Sequence, residues 1–322
     1  ELSLRERIAR GEVLGPRLIL ARMIDGPGKA WPPPISVWVA TPEEASAAVR
    51  QAKAEGYDSM KVYSFLSRDA YDAIVATAHE LGMDVIGHVP MSVSVEHVVE
   101  SGQRLIAHSE ELAKHTRGDY RPERIEHFAD LLVDGDVWLI PTLTTTHSLL
   151  ELFDDPASML GRPEAAYHRH PMQAGIWTFA AEQLYAPVPE AARQVLRDDF
   201  EQFQRPLVRA LQERGGKLLA GSDVILPGLV AGFALHRELG ELVDVGLTPY
   251  EALRTATTAP FEFLGEAERG TIAPGMRSDL ILVDANPLED VSAAARISGV
   301  LLRGRWLARE EIEQRMRAIA DR

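Results

Sequence analysis

Four residues combine metal-competent chemistry with the same kind of surroundings: Lys61 in SMKVYS, His88 in DVIGHVP, His108 in RLIAHSEE and Asp223 in LLAGSDV. Each stands at or near the end of a short apolar run that reads as a strand. In parallel strand–helix folds the working groups project from the C-terminal ends of strands. Singly, each has a plain explanation: a strand lysine carries its ammonium out to water, a strand histidine is a hydrogen-bonded core residue, and Gly-Ser-Asp is a turn. Together, in the order Lys, His, His, Asp at successive strand ends, they are better explained by one shared site. The chain contains no cysteine, so a metal there must be held by His, Asp, Glu or a modified Lys. Lys61 is the odd member, because a lysine set between Met60 and Val62 is rarely buried without a partner.

The elements that must position these groups follow one grammar, repeated six times: a short apolar strand, a polar or glycine-rich turn, then an amphipathic helix. The strands are expected at 17–23, 59–65, 84–89, 104–109, 137–144 and 217–223. Thr41, Pro42 and Glu44 predict a helix start with a capping box, and Thr248, Pro249 and Glu251 repeat it. Ala45, Ala48, Val49 and Ala52 mark one apolar helix face, and Ala70, Ile74, Val75, Ala78 and Leu81 mark another. Gly56 and Gly82 are expected to stop these two helices. The connection from about 147 to 190 is long and rich in Pro, His and aromatics, which predicts a lid or pocket wall. After the last helix, GTIAPGMRSDLILVDANP and ISGVLLRGRWL read as strand-and-turn segments of a small β appendage.

Composition narrows the function. The 322 residues are 46% hydrophobic and 25% charged, as in a folded globular protein. A formal net charge of −14 with no basic cluster argues against a nucleic-acid partner. The longest mainly apolar run, ILPGLVAGFAL from Ile225, is far shorter than the roughly 20 residues of a membrane span. A soluble protein is expected, its compartment left open between cytoplasm and export, and assembly with further copies of itself is allowed. No G-x-G-x-x-G follows a strand and no P-loop is present, which lowers the nucleotide-binding readings.

The blocks GYDSMKVY, AHELGMDVIGHV, GQRLIAHSEEL, IPTLT, AGSD, GFALHRELGELVDVGLTPYEALRTATTAPFEFLG and GTIAPGMRSDLILVDANPLEDV give the chain a marked resemblance to the amidohydrolase superfamily. The branch it resembles is the imidazolonepropionase-like and Xaa-Pro-dipeptidase-like one. The resemblance implies an α/β fold: a (β/α)8 TIM barrel, of which strands three to eight are present, with a small composite β-sandwich. It implies a barrel over 1–268, the C-terminal part of the sandwich over 269–310 and a helical tail over 311–322. It further implies a carbamate on Lys61 bridging two divalent metals, zinc by preference, with His88 and His108 on one metal and Asp223 on the other. A metal-activated hydroxide would attack the scissile carbonyl, and Asp223 would take its proton and pass it to the leaving nitrogen.

The family also places a His-x-His at the end of its first strand. Here the only His-x-His is His168 and His170 in AYHRHPM, read as loop, so an upstream part is expected to be absent. Sheet edges without their pairing strands then predict exposed β segments and poor stability. Tyr63 shares a strand face with Lys61 and is a candidate for a substrate carbonyl or carboxylate. Thr142, Thr144 and His147 stand at or past another strand tip as candidate pocket residues, while His236, on a helix, reads as structural. The expected substrate is a small peptide or N-acyl amino acid, as for a dipeptidase. Hydrolysis of a cyclic amide or deamination of a heterocycle is the alternative enzyme. A metal-free barrel used as a binding module is the alternative of another class.

Overall fold

The computed structural model describes residues 1–28, 31–168, 171–224 and 226–320. The chain divides into two compact units, residues 1–119 with 126–139, and residues 120–125 with 140–322.

The first unit is a parallel sheet with helices between its strands. The strands are β1 (Ala21–Asp25), β2 (Val37–Trp38), β3 (Ser59–Val62), β4 (Asp84–Gly87), β5 (Leu105–Ala107) and β6 (Trp138–Ile140), running β2-β1-β3-β4-β5-β6 across the sheet. Every expected strand of this unit forms, but shorter than its apolar run. β1 lies further along the chain than the predicted 17–23, and β2 is an addition. Met60, Val62, Val85, Leu105 and Ile106 are fully or almost fully buried in these strands, as the continuous apolar runs of a doubly covered parallel sheet require.

The helices are α1 (Leu2–Ala9), α2 (Pro42–Glu55), α3 (Arg68–Glu80), α4 (Val95–Ser101) and α5 (Ser109–Lys114), and α6 (Pro122–Asp134) follows in the chain. In α2 the predicted face of Ala45, Ala48, Val49 and Ala52 is the buried one, and Thr41 accepts from the Glu44 N–H. The reciprocal half of the box is displaced by one residue, because the Glu44 carboxylate accepts from Ala40 N–H at 2.7 Å. Gly56 ends α2 at φ +92°, a conformation that costs an L side chain steric energy.

Backbone approach is close at Gly87, where β4 ends at φ +118° and an added Cβ would lie 2.4 Å from the Val62 carbonyl oxygen and 3.1 Å from Lys61 Cγ. Gly87→Ala is therefore expected to cost about 3 kcal/mol, from positive φ and overpacking together. An unchanged urea midpoint would mean that the strands are not this close.

The second unit holds α7 (Leu143–Asp154), the helices Phe233–Asp244, Pro249–Ala256 and Arg309–Ala320, and the short strand β7 (Lys217–Leu218). The capping box at Thr248 and Glu251 is complete. The long connection after β6 is helical, including Pro171–Phe179 and Glu190–Asp198. β8 (Leu280–Val283), β9 (Ile297–Leu302) and β10 (Arg305–Ala308) form an antiparallel sheet in the order β10-β9-β8, one layer of the expected appendage. Arg303 at φ +50° and Gly304 at φ +78° make the two-residue turn joining β9 to β10. Ile281 and Leu282 on the edge strand β8 are more than half exposed. Among the described residues no helix is long and apolar enough to cross a membrane.

Candidate active site

β3 carries Lys61 with Met60 and Val62 buried on either side of it, and Lys61 itself is partly buried. It is in register with Met23 of β1 and Ile86 of β4. His88 follows β4 directly, is 4% exposed, and donates its backbone N–H to Val62 O at 2.9 Å. The Tyr63 ring lies against the His88 ring with centroids 3.9 Å apart, and Lys61 Nζ is 5.8 Å from the Tyr63 centroid. The Tyr63 hydroxyl accepts from Trp31 Nε1–H at 3.1 Å. His108, after β5, meets His88 edge to face with centroids 5.1 Å apart. Lys61, Tyr63, His88 and His108 are thus brought together in the first unit.

His88 is oriented through Nδ1, which lies 2.9 Å from Ser64 Oγ and 3.0 Å from Glu111 Oε1. Glu111 is fully buried and also accepts from Lys114 Nζ. Asp25, at the tip of β1, is 1% exposed; its Oδ1 accepts from Phe65 N–H at 2.8 Å, and its Oδ2 has no hydrogen-bond partner among the described residues. Burial pushes the Asp25 carboxyl up, opposed by the N–H groups of Phe65 and Gly26 and by the nearby His88. Sequence reasoning missed both acids. Ending β1 at residue 23 hid Asp25, and Glu111 carried a readable signal in its spacing of three residues from His108, one helical turn.

The second unit carries the other predicted residues. Asp223 adopts φ +38°; the Tyr185 phenol is raised by its burial and, secondarily, by the charge of Asp223. The preceding Ser222 carbonyl accepts from Thr145 Oγ1 at 2.7 Å. The predicted strand to residue 144 ends at Ile140; Thr142 takes φ +51° and α7 begins at Leu143. A helix N-terminus needs acceptors for its first N–H groups. Buried Glu238 supplies them, accepting from Thr144 N–H at 2.8 Å and Leu143 N–H at 3.2 Å. Thr144 is therefore a buried helix-start residue rather than a strand tip, and His147 lies one turn into α7, ion-paired with Glu241. That pairing, ahead of the opposing effect of burial, holds the His147 imidazole above its ordinary pKa. His236 is partly buried on the helix Phe233–Asp244, and burial lowers its imidazole. His170 and the side chain of His168 lie outside the described residues.

His108, Thr142 and Asp223, all at predicted strand ends, are non-glycine residues at positive φ. Each costs about 1–2 kcal/mol of steric strain, of the kind retained where a side chain must be aimed.

The sequence pattern of the Amidohydrolase family matches residues 29–307. The chain belongs to the amidohydrolase family. Members of this family hydrolyse carbon–nitrogen bonds and generally bind divalent metals. This amidohydrolase is similar in fold to a bottromycin amidohydrolase, with a TM-score of 0.75 and 24% identity over 99% of this chain and 72% of that one. It is also similar to a Xaa-Pro dipeptidase solved with bound methionine, at TM-score 0.68 and 22% identity over 95% and 72% of the two chains. These likenesses agree with the expected α/β barrel class with its small antiparallel sheet. By sequence it is 37% identical over 73 residues to an adenine deaminase of Ligilactobacillus salivarius, covering 23% of this chain and 12% of that protein. A second adenine deaminase, from Deinococcus radiodurans, is 33% identical over 121 residues, 38% of this chain and 20% of its own length. The chain thus matches a fifth or less of the length of these two relatives.

Whether this amidohydrolase can hold a metal turns on the donors in its first unit. Among the described residues no three His, Asp or Glu side chains are grouped as a cation site. Two imidazoles do converge, one of them tied through Nδ1 so that Nε2 is left for a ligand, beside an amine on the neighbouring strand and a buried carboxylate with an unsatisfied oxygen. That set fits one divalent cation if Lys61 adds oxygen donors.

Proposed function

We propose that this amidohydrolase hydrolyses a carbon–nitrogen bond in small peptides or N-acyl amino acids, using a divalent cation held by His88, His108 and Lys61 as its carbamate. The observation that carries the reading is the convergence of the His88 and His108 rings at 5.1 Å beside Lys61. In forming the carbamate, the Lys61 ammonium gives up one proton, and the neutral amine adds to the carbon of CO2 and loses a second, so that a cation becomes an anion with two oxygen donors. Zinc suits imidazole and oxygen ligands. Once bound, the cation supplies an activated water and polarises the scissile carbonyl.

The chain's own groups do the rest. Ser64 and Glu111 keep the His88 ring in place, and Tyr63, fixed by Trp31 and His88, is offered to a substrate carbonyl or carboxylate. The resemblance gives Asp223 the proton carried from water to the leaving nitrogen. A second cation, Thr144 and His147 as pocket residues, and the division at 268 and 310 belong to the same family reading.

The adenine deaminase similarity favours a second reading, deamination of an amino-heterocycle at the same donors. A panel of dipeptides, N-acyl amino acids and adenine, run with elemental analysis, separates these readings. Release of amino acids with bound zinc supports the first, and release of ammonia from adenine supports the second. A metal-free protein inert to the whole panel leaves only a binding module.

A further inference from the structure

We infer that Glu111 is a positioning residue that sets the tautomer of His88, so that Nε2 keeps the lone pair a divalent cation needs. The inference rests on the metal-dependent reading above. A neutral imidazole carries one proton, and the hydrogen bond at one nitrogen decides the state of the other. Two groups face His88 Nδ1: Ser64 Oγ at 2.9 Å and Glu111 Oε1 at 3.0 Å. They make opposite demands. A hydroxyl can donate or accept, so Ser64 alone would be able to donate to a bare Nδ1, placing the ring proton on Nε2. An ionised carboxylate only accepts, so at 3.0 Å it requires the proton on Nδ1.

Glu111 is kept in the form that makes this demand. The same Oε1 that faces His88 also accepts from the Lys114 ammonium, and that ion pair favours the carboxylate form. Lys114 is itself bound by Glu110 as well as Glu111. Burying a carboxylate completely, with its Oε2 lacking a hydrogen-bond partner among the described residues, is costly for the fold, so packing alone gives no reason for it.

The local chain geometry ties the two imidazoles to one turn. β5 ends at Ala107, His108 takes φ +78°, and α5 starts at once, with Glu111 N–H donating to His108 O at 3.1 Å. The same turn that presents one histidine therefore brings in the carboxylate that orients the other. Carboxylate–imidazole pairs of this kind, when broken beside a metal, cost 10–100-fold in affinity.

The test uses metal-stripped full-length protein, Zn2+ competition against a chromophoric chelator, and nitrogen NMR of the histidine rings without metal. Glu111→Ala is expected to weaken Zn2+ binding about 10–100-fold and to move the His88 proton from Nδ1 to Nε2. Glu111→Gln, which keeps a neutral acceptor, should recover part of the affinity. Adding Ser64→Ala to Glu111→Ala should restore affinity in part by removing the competing donor. A wild-type His88 protonated on Nε2, or a folded Glu111→Ala with unchanged affinity and tautomer, overturns the inference. Should Glu111→Ala fail to fold, the wild-type tautomer and Glu111→Gln still decide. A wild-type protein that binds no Zn2+ yet carries its His88 proton on Nδ1 fails the metal reading and leaves the tautomer lock standing.

Discussion

Lys61→Ala is expected to remove three things at once: a mass increment of one CO2 on the intact protein, Zn2+ binding, and turnover. The common cause is the donor count. His88 and His108 give two nitrogens, and a catalytic zinc site takes three protein ligands. Without the carbamate no third donor is grouped with them among the described residues. Loss of the cation forfeits Lewis-acid and water activation, several kcal/mol of transition-state stabilisation; at about 4 kcal/mol the rate falls roughly a thousandfold. The fold should survive, because Lys61 is only partly buried and alanine fits its strand. Surface-type changes of this sort usually stay within about 0.5 kcal/mol. Lys61→Arg separates charge from chemistry: it keeps the cation, cannot form the carbamate, and should be as inactive as alanine. Full activity in either variant, or an unmodified wild-type lysine in a metal-loaded, active protein, would remove Lys61 from the mechanism.

How far the chain could be read without coordinates differs between its two units, for a physical reason. In the first, each candidate site residue sits within or just past an apolar run, so the period of the strand also gives the place of the side chain. Lys61, His88 and His108 were legible because the run and the chemistry coincide. Asp25 was not, since the apolar residues of RLILARM begin at Leu18 while the sheet pairs only from Ala21, as in the register Ala21 with Ser59. Hydrophobicity marks what is buried and leaves open which part of a buried run is hydrogen-bonded. In the second unit VWLIPTLT reads as one strand, but Pro141 and the positive φ of Thr142 break it, and the next residues start a helix. That switch depends on Glu238, nearly a hundred residues on, which supplies the missing acceptors. Local pattern holds no trace of so distant a cap.

Glu238 yields the second large effect, on stability. Its carboxyl accepts the Leu143 and Thr144 N–H groups, while Thr142, at the N-cap, makes no side-chain cap and donates its hydroxyl to Pro141 O instead. Glu238→Ala leaves two buried N–H groups unsatisfied at about 1–3 kcal/mol each, a loss of roughly 2–6 kcal/mol. The same residue makes stability depend on pH. Complete burial, reinforced by Glu241, pushes Glu238 up to about 8 against the pull of the backbone N–H groups, from 4.5 in an ordinary setting. Below about 4.5 the group is protonated whether the chain is folded or not, and its contribution is fully present. As pH rises toward 8 the unfolded chain gives up this proton and the folded chain retains it, so stability falls by up to about 1.4 kcal/mol per pH unit and then levels off. Urea unfolding at pH 5 and pH 8, compared between wild type and Glu238→Gln, reads this one group against all others. The wild type should lose more stability than the glutamine variant across that interval, because glutamine still offers an acceptor oxygen but has no proton to lose. Parallel losses in the two proteins would show that Glu238 is already ionised in the native state, and that the N-terminus of α7 rests on a charge instead of a neutral acid.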